Sequence, residues 1–188
     1  MDIYREHPDI QSILFEDDVI ESKVRELGAV ITEDYSKAIE AGEELVLVTM
    51  LRGAALFSSD LARAIELPLT LDYMKVSSYG NSAKSSGIVT IESDISVDVS
   101  GKHVLIVEDV VDSGVTLRFI RKNMLARGPL SVEIAAFLRK DTGSSRNVDC
   151  RYVGLECPEE FLVGYGLDYA GRYRNIPAVC VLAPEVYE

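Results

Sequence analysis

The sequence lacks the features of secreted, membrane-spanning and zinc-binding proteins. It contains three cysteines, Cys150, Cys157 and Cys180, an odd number without the spacing of metal ligands. Free thiols of this kind are typical of a reducing compartment. Residues 1–8 are polar and acidic rather than a signal peptide, and no apolar run approaches the roughly 18 residues that a membrane helix needs. We therefore expect a cytoplasmic protein with no membrane partner.

Basic residues are also scarce. The chain has 19 lysines and arginines against 31 aspartates and glutamates, which gives a net charge of −12. Such a surface repels nucleic acid and anionic membranes, so neither is expected as a partner. An anionic ligand would have to be bound by local groups, namely backbone amides, a few basic side chains and a divalent cation.

The two commonest phosphate-binding fingerprints, G-x-x-x-x-G-K-[ST] and G-x-G-x-x-G, are absent as well. The chain has instead the segment Val104-Leu-Ile-Val-Glu-Asp-Val-Val-Asp-Ser-Gly-Val-Thr-Leu117. This segment begins with the apolar run of a buried strand, which two acids, Glu108 and Asp109, follow. A small polar turn at 112–116 then leads into a helix predicted from about residue 116 to residue 126.

Strand, acids, small-residue turn and helix N-terminus form, in this order, an anion site. Backbone N–H groups of such a turn point outward, and the helix dipole favours negative charge there. The two carboxylates suit a cation or sugar hydroxyls, so a phosphorylated sugar would satisfy both halves. The alternative is an ordinary strand-to-helix turn capped by Asp112 or Ser113, which leaves the acid pair unexplained.

Apolar strands alternate with segments of helical period along the chain. Helices are predicted at 17–41, 55–65 and 116–126, and strands at 45–50, 68–76, 88–91, 104–107, 132–138, 151–155 and 178–182. This alternation predicts an α/β fold, a mainly parallel sheet flanked by helices on both faces. Ligands bind such sheets beyond the C-terminal ends of the strands, where the loops that follow should gather.

The segment 104–117 resembles the diphosphoribose-binding signature of the phosphoribosyltransferases: an apolar strand, Glu-Asp, two apolar residues and Asp-[Ser/Thr]-Gly-x-Thr. From about residue 45 to residue 182 the chain is similar to the hypoxanthine-guanine branch of that family, with the motifs in the same order. The resemblance implies a type I phosphoribosyltransferase fold, a twisted sheet in a single domain of residues 1–188. It further implies a small hood lobe from about 155–188, to which the N-terminal segment contributes, and assembly as a homodimer or homotetramer.

The resemblance implies a role for each residue of the signature. Glu108 and Asp109 would meet the ribose hydroxyls directly or through Mg²⁺, and Asp112 would act at N7 of the purine as general base and acid. The ribose 5-phosphate would lie in the turn composed of Asp112, Ser113, Gly114, Val115 and Thr116. Many relatives have lysine where this chain has Val115, although bacterial members often carry an apolar residue there.

Other motifs match the family's pyrophosphate and purine sites. Leu51-Arg52-Gly53-Ala resembles the pyrophosphate loop, often Leu-Lys-Gly-Gly, whose first peptide bond is frequently cis. A backbone that approaches pyrophosphate closely favours Gly53. The remaining matches are Arg174 near pyrophosphate, Asp168 at a second Mg²⁺, Val110, Lys140, Phe161, Leu162 and Asp168 around the purine, and Ser78 with Tyr79 in a polar lid.

The resemblance implies purine salvage: Mg²⁺-dependent transfer of phosphoribose from 5-phosphoribosyl 1-diphosphate to N9 of hypoxanthine or guanine, giving IMP or GMP and pyrophosphate. An ammonium group has only hydrogen-bond donors, so Lys140 favours a 6-oxopurine and disfavours adenine. A xanthine-preferring enzyme stays open, because xanthine also carries the 6-oxo group. A regulator that senses phosphoribosyl diphosphate without catalysis is disfavoured by the charge of −12 and the absence of a spare domain.

Overall fold

The computed structural model describes residues 4–78 and 89–187, which contain nine strands and four α-helices. The strands are β1 (Ile10–Phe15), β2 (Leu45–Leu51), β3 (Thr70–Ser78), β4 (Val89–Ser93), β5 (His103–Val111), β6 (Ser131–Lys140), β7 (Tyr152–Cys157), β8 (Leu162–Val163) and β9 (Val179–Leu182). The helices are α1 (Asp17–Glu40), α2 (Ala55–Ala64), α3 (Val115–Leu125) and α4 (Gly143–Arg146), and a 3₁₀ turn follows at Pro184–Val186. No helix in the described part of the chain combines the length and hydropathy of a membrane span.

A six-stranded sheet in the order β4-β3-β2-β5-β6-β7 forms the centre of the fold. The pairs from β3 to β7 are parallel, and β4 joins the edge strand β3 in antiparallel orientation. The predicted fold class, a mainly parallel sheet flanked by helices, is confirmed. All parallel strands therefore end at the same edge, where β2 leads into residues 52–54 and β5 leads into residues 112–114.

Helices cover both faces of this sheet because alternate residues of each strand point in opposite directions. On one face, Leu105 and Val107 pack in a cluster with the apolar residues of α1 and α2. On the other face, Val104 and Ile106 pack with Leu117, Ile120 and Met124 of α3. Both sets are buried, and a fully buried aliphatic side chain contributes roughly 1.5–3 kcal/mol. The two clusters fix the strand ends and hence the loops that follow them.

A second, antiparallel sheet joins the two ends of the chain in the order β1-β9-β8. Ile10 of β1 pairs with Leu182 of β9, and Leu162 of β8 pairs with Val181. One face of this sheet packs against the α1 and α2 cluster through Leu162. The other face carries a cluster of its own, which contains Val163, with Cys180 and Leu182. The sequence analysis predicted neither β1 nor β8.

Several element boundaries differ from the sequence predictions. The strand that was predicted to end at residue 107 is longer: β5 continues through Glu108 and Asp109 to Val111. β6 pairs with β5 along this extension and runs to Lys140. Residues 141–149, for which no helix or strand was predicted, contain α4, which begins at a capping box formed by Thr142 and Ser145.

Candidate active site

A cavity of about 350 Å³ lies at the C-terminal edge of the central sheet, between the ends of β2 and β5. Thirteen of the residues that the sequence analysis assigned to ligands line it: Leu51, Arg52, Gly53, Glu108, Asp109, Val110, Asp112, Ser113, Gly114, Val115, Thr116, Asp168 and Arg174. Lys140, Phe161 and Leu162 lie outside its walls, and Ser78 ends β3. Tyr79 lies outside the described residues, so the proposed lid stays a prediction.

The loop after β2 forms one wall of the cavity. Its Leu51–Arg52 peptide bond is cis, a point that the family resemblance had left open. Ala54, where relatives often have a second glycine, is fully buried, so its methyl group belongs to the core. The backbone N–H of Ala55 donates to the Arg52 carbonyl over 3.2 Å, which begins α2 directly behind the loop.

Gly53 is required for a reason that the sequence did not reveal. A Cβ atom at this position would lie 1.6 Å from Oδ2 of Asp109, so the carboxylate occupies the space of a side chain. The sequence analysis attributed this glycine to a close approach of pyrophosphate. The structure adds a second cause, the packing of an acidic side chain from β5 against the loop.

The two acids of the signature are both half-buried at the end of β5. Burial, together with the like charge of Asp109, raises the pKa of the Glu108 carboxyl well above its usual range. Asp109 Oδ1 accepts a hydrogen bond from the Val110 N–H over 3.0 Å. Two oxygen-rich groups that repel each other in this way favour a bound cation. No preformed cluster of three or more metal-binding side chains occurs within residues 4–78 and 89–187.

The turn at 112–114 leads directly into the N-terminus of α3. The cap residue is Gly114 with φ of +70°, and no side chain caps the helix. The alternative in which Asp112 or Ser113 caps this helix is therefore wrong. The first N–H groups of an α-helix have no partner within the helix, and here they border the cavity. Such a terminus binds phosphate.

Lys140 ends β6 beside this turn. Its Nζ lies 3.6 Å from Oδ2 of Asp112, with Lys140 mostly buried and Asp112 largely exposed. The loop behind it is fixed because the Ser145 hydroxyl donates to the Lys140 carbonyl and Thr142 caps α4. A donor from one strand and an acceptor from the neighbouring turn thus stand side by side.

Arg174 and Asp168 close the cavity from the second sheet. The Arg174 guanidinium pairs with the Asp168 carboxylate and donates to the Gly166 carbonyl. Asp168 also accepts a hydrogen bond from the Gly171 N–H over 2.7 Å. Gly166 has φ of +99°, and a Cβ there would lie 2.2 Å from the Gly53 carbonyl oxygen. The loops that carry Arg174 and Arg52 are therefore in direct backbone contact.

Comparison with known proteins identifies the family. A family model described as "Phosphoribosyl transferase domain" matches residues 16–170. The chain belongs to the phosphoribosyltransferase family. It is 46% identical over 181 residues to a hypoxanthine-guanine phosphoribosyltransferase of Mycobacterium avium, which covers 96% of this chain and 89% of the relative. A hypoxanthine-guanine phosphoribosyltransferase of Bacillus subtilis is 42% identical over 180 residues, 96% of this chain and 97% of that one.

Solved phosphoribosyltransferase structures agree with the fold. A crystal structure of a hypoxanthine phosphoribosyltransferase from Staphylococcus aureus superimposes with a TM-score of 0.89 at 40% identity. The superposition covers 97% of this chain and 96% of that one. The similarity of fold therefore extends over both sheets.

Sequence reasoning missed three residues near the site of this phosphoribosyltransferase. Tyr165 donates from its hydroxyl to Asp60 of α2 over 2.7 Å, and Gly166 lies against the carbonyl oxygen of Gly53 in the loop after β2. Tyr187 stacks on Phe161. The only signal for the first two was a Gly-x-Gly pattern, which is too common to be informative alone.

Proposed function

We propose that this phosphoribosyltransferase acts in purine salvage and transfers phosphoribose from 5-phosphoribosyl 1-diphosphate to N9 of hypoxanthine or guanine. The products would be IMP or GMP and pyrophosphate. The observation that carries the proposal is the pairing of Lys140 with Asp112 at 3.6 Å beside the anion site. The similarity to hypoxanthine-guanine phosphoribosyltransferases over 96% of the chain supports it.

The Lys140 and Asp112 pair fits one edge of a 6-oxopurine. Atoms O6 and N7 are neighbours on that edge; O6 accepts a hydrogen bond and a protonated N7 donates one. The Lys140 ammonium can only donate and the Asp112 carboxylate can accept, so the two groups match the two atoms. A 6-aminopurine would turn a donor toward the ammonium and leave a polar group unpaired, which discriminates strongly between bases.

The sugar substrate would bind along the cavity. Its 5-phosphate fits the turn of residues 112–116, where the N–H groups at the start of α3 point. The ribose hydroxyls would face Glu108 and Asp109, and the diphosphate would extend toward Arg52 and Arg174. The carboxylates of Glu108, Asp109 and Asp168 fit Mg²⁺, which prefers oxygen ligands and commonly binds through one or two carboxylates and substrate phosphates.

Catalysis would use proton transfer and charge neutralisation. The sugar carbon passes through an oxocarbenium-like state as pyrophosphate leaves, as in glycoside chemistry. Asp112 accepts the N7 proton while N9 bonds to that carbon. Arg52 and Arg174 stabilise the negative charge that builds on the leaving pyrophosphate. When bound, Mg²⁺ would supply further neutralisation of that charge.

The domain organisation and assembly belong to the same proposal. The whole chain of residues 1–188 would form one domain, with the segment from about 155 to 188 as a hood over the base. The pairing of β1 with β9 supports a contribution of the N-terminal segment to this hood. A homodimer or homotetramer is expected from the family resemblance.

The first experiment offers hypoxanthine, guanine, xanthine and adenine in parallel, with 5-phosphoribosyl 1-diphosphate and Mg²⁺. Turnover of hypoxanthine and guanine without turnover of adenine is expected. Faster turnover of xanthine than of hypoxanthine and guanine would make xanthine the preferred base and leave the proposed reaction unchanged. Binding of the sugar substrate without turnover of any base would indicate a regulator instead.

Variants of the paired residues test the mechanism. Asp112→Asn removes the proton acceptor and should lower kcat by about 10² or more, while affinity for the sugar substrate changes little. Lys140→Ala should weaken the use of hypoxanthine and guanine selectively. Near-normal turnover by the first variant, or equal weakening for all purines by the second, would contradict the assigned roles.

A further inference from the structure

The ring of Phe161 is held by two tyrosines. Tyr187 stacks on it with ring centroids 4.9 Å apart and an interplanar angle of 25°. Tyr169 meets it edge-on at 5.5 Å and 87°. Phe161 nevertheless stays 36% exposed, so part of the residue remains accessible to another contact. Both arrangements are the favourable geometries of aromatic pairs.

Tyr187 packs on one face of the second sheet, in the cluster that contains Val163. Successive residues of a strand point to opposite faces. Leu162 packs with the cluster that includes Cys157, the strand partner of Lys140, whereas Val163 packs in the opposite cluster. Tyr187 and Tyr169 belong to that opposite cluster. The two tyrosines therefore pack on the Val163 side of β8.

The backbone around Tyr187 is tied to both ends of the chain. The N–H of Ala183 donates to the Asp9 carbonyl over 2.8 Å. In the 3₁₀ turn that follows, the N–H of Tyr187 donates to the Pro184 carbonyl over 3.1 Å. The N–H of Leu182 donates to the Phe161 carbonyl over 2.8 Å. One end of β9 thus fixes the Phe161 backbone, and the turn after it presents the stacking ring.

We propose that Tyr187 is a positioning residue for the purine, which holds the Phe161 ring so that the base can stack on the face that remains free. This inference rests on the proposed function, in which Phe161 stacks on a 6-oxopurine. Without Tyr187 the Phe161 side chain would gain rotational freedom, which binding of the base would have to remove. Ordering one such side chain weakens binding roughly three- to tenfold.

The test compares Tyr187→Ala, Tyr187→Leu and Tyr187→Phe. The KM for hypoxanthine, the KM for 5-phosphoribosyl 1-diphosphate and kcat are measured for each variant, with a thermal melt to check folding. Tyr187→Ala and Tyr187→Leu should raise the purine KM about three- to tenfold and leave the sugar KM within twofold. Tyr187→Phe retains a stacking ring and should restore the wild-type purine KM.

Tyr73→Ala is the matched control, since Tyr73 is an exposed tyrosine of the central sheet that lies outside the site. It should leave both KM values unchanged. An unchanged purine KM in Tyr187→Ala and Tyr187→Leu, or equal changes in both KM values, would overturn the positioning role. A purine KM that falls would also overturn it, because Tyr187 would then occupy the place of the base.

Failure of the proposed function has a different signature. Phe161→Leu should raise the purine KM in the same assay. If Phe161→Leu leaves it unchanged, or the wild type turns over no purine, the stacking role of Phe161 or the activity itself is wrong, and the inference about Tyr187 falls with it.

Discussion

Replacement of Gly53 by alanine tests the contact between the loop after β2 and Asp109 of the acid pair. The new methyl group would stand 1.6 Å from Oδ2 and 2.5 Å from Cγ of Asp109, so the carboxylate must rotate out of its position. Gly53 is not among the glycines with positive φ, and its backbone accepts an alanine. The obstacle is the end of a flexible side chain, and the fold should therefore survive.

The expected effect on binding is much larger than that on stability. If Asp109 holds a ribose hydroxyl or Mg²⁺, its displacement removes a hydrogen bond to a charged group, worth about 1.5–3 kcal/mol. This corresponds to a loss of roughly 10- to 150-fold in affinity for 5-phosphoribosyl 1-diphosphate. The free energy of unfolding should change by less than about 1 kcal/mol, since substitutions away from the core have small effects and alanine reduces the entropy of the unfolded chain.

A double-mutant cycle isolates the contact. Gly53→Ala, Asp109→Ala and the double variant are compared by calorimetric titration with the sugar substrate in Mg²⁺ and by denaturant unfolding. Because Gly53→Ala acts by displacing Asp109, the double variant should bind no more weakly than Asp109→Ala alone. Gly143→Ala is the control, because a Cβ at Gly143 meets nothing within 4 Å. Additive losses, or wild-type affinity in Gly53→Ala, would refute the reasoning.

Three further predictions concern stability and the metal. Asp72 accepts hydrogen bonds from the N–H groups of Ser96 and Val97; burial raises its pKa, but these bonds outweigh burial and lower it below its ordinary 3.8. Asp72→Asn should therefore lower the free energy of unfolding by about 1 kcal/mol near pH 7. Urea titrations should show this deficit shrinking as the pH falls below 3.8 and through the lower pKa of folded Asp72, where the wild-type carboxylate becomes protonated. Tyr165→Phe loses the bond to Asp60 and should lower the melting temperature by about 2–4 °C; an unchanged melting curve would contradict this. In a coupled assay, EDTA should abolish nucleotide formation and added Mg²⁺ should restore it, because without the metal the carboxylates of the cavity repel the diphosphate. Turnover that survives EDTA would exclude a requirement for the metal.

Sequence periodicity predicted the centre of the sheet because β2, β5 and β6 each contain a continuous apolar run. The same rule misplaced the end of β5, since Glu108 and Asp109 are polar residues within a strand. They stay in the ladder because Glu108 pairs with Ala136 and the extension continues to the pair of Val111 with Arg139. The pairing of β5 with β6, which a single sequence does not show, fixes the position of the two acids at the end of the strand.

The second sheet was missed for a related reason. β8 has two residues, too few for a recognisable period, and β1 pairs with β9 at the opposite end of the chain. Their partners are decided by tertiary packing rather than by local propensity. The sequence analysis could therefore place Phe161 next to a purine by resemblance, but it could not find the ring of Tyr187 that stacks on it.

The type of a residue alone predicted only part of the reason for a glycine at position 53. Gly53 was predicted from the demands of an anionic ligand, yet the Asp109 carboxylate from β5 occupies the space of its side chain, and the Gly53 carbonyl oxygen leaves no room for a side chain at Gly166. Each contact joins segments that are distant in sequence, so neither follows from a local pattern. Because Gly166 also accepts a hydrogen bond from Arg174, a shift of the Gly53 backbone would move that arginine as well. The acid pair, the loop after β2 and Arg174 are thus linked by direct contacts, and substitutions among them should not act independently.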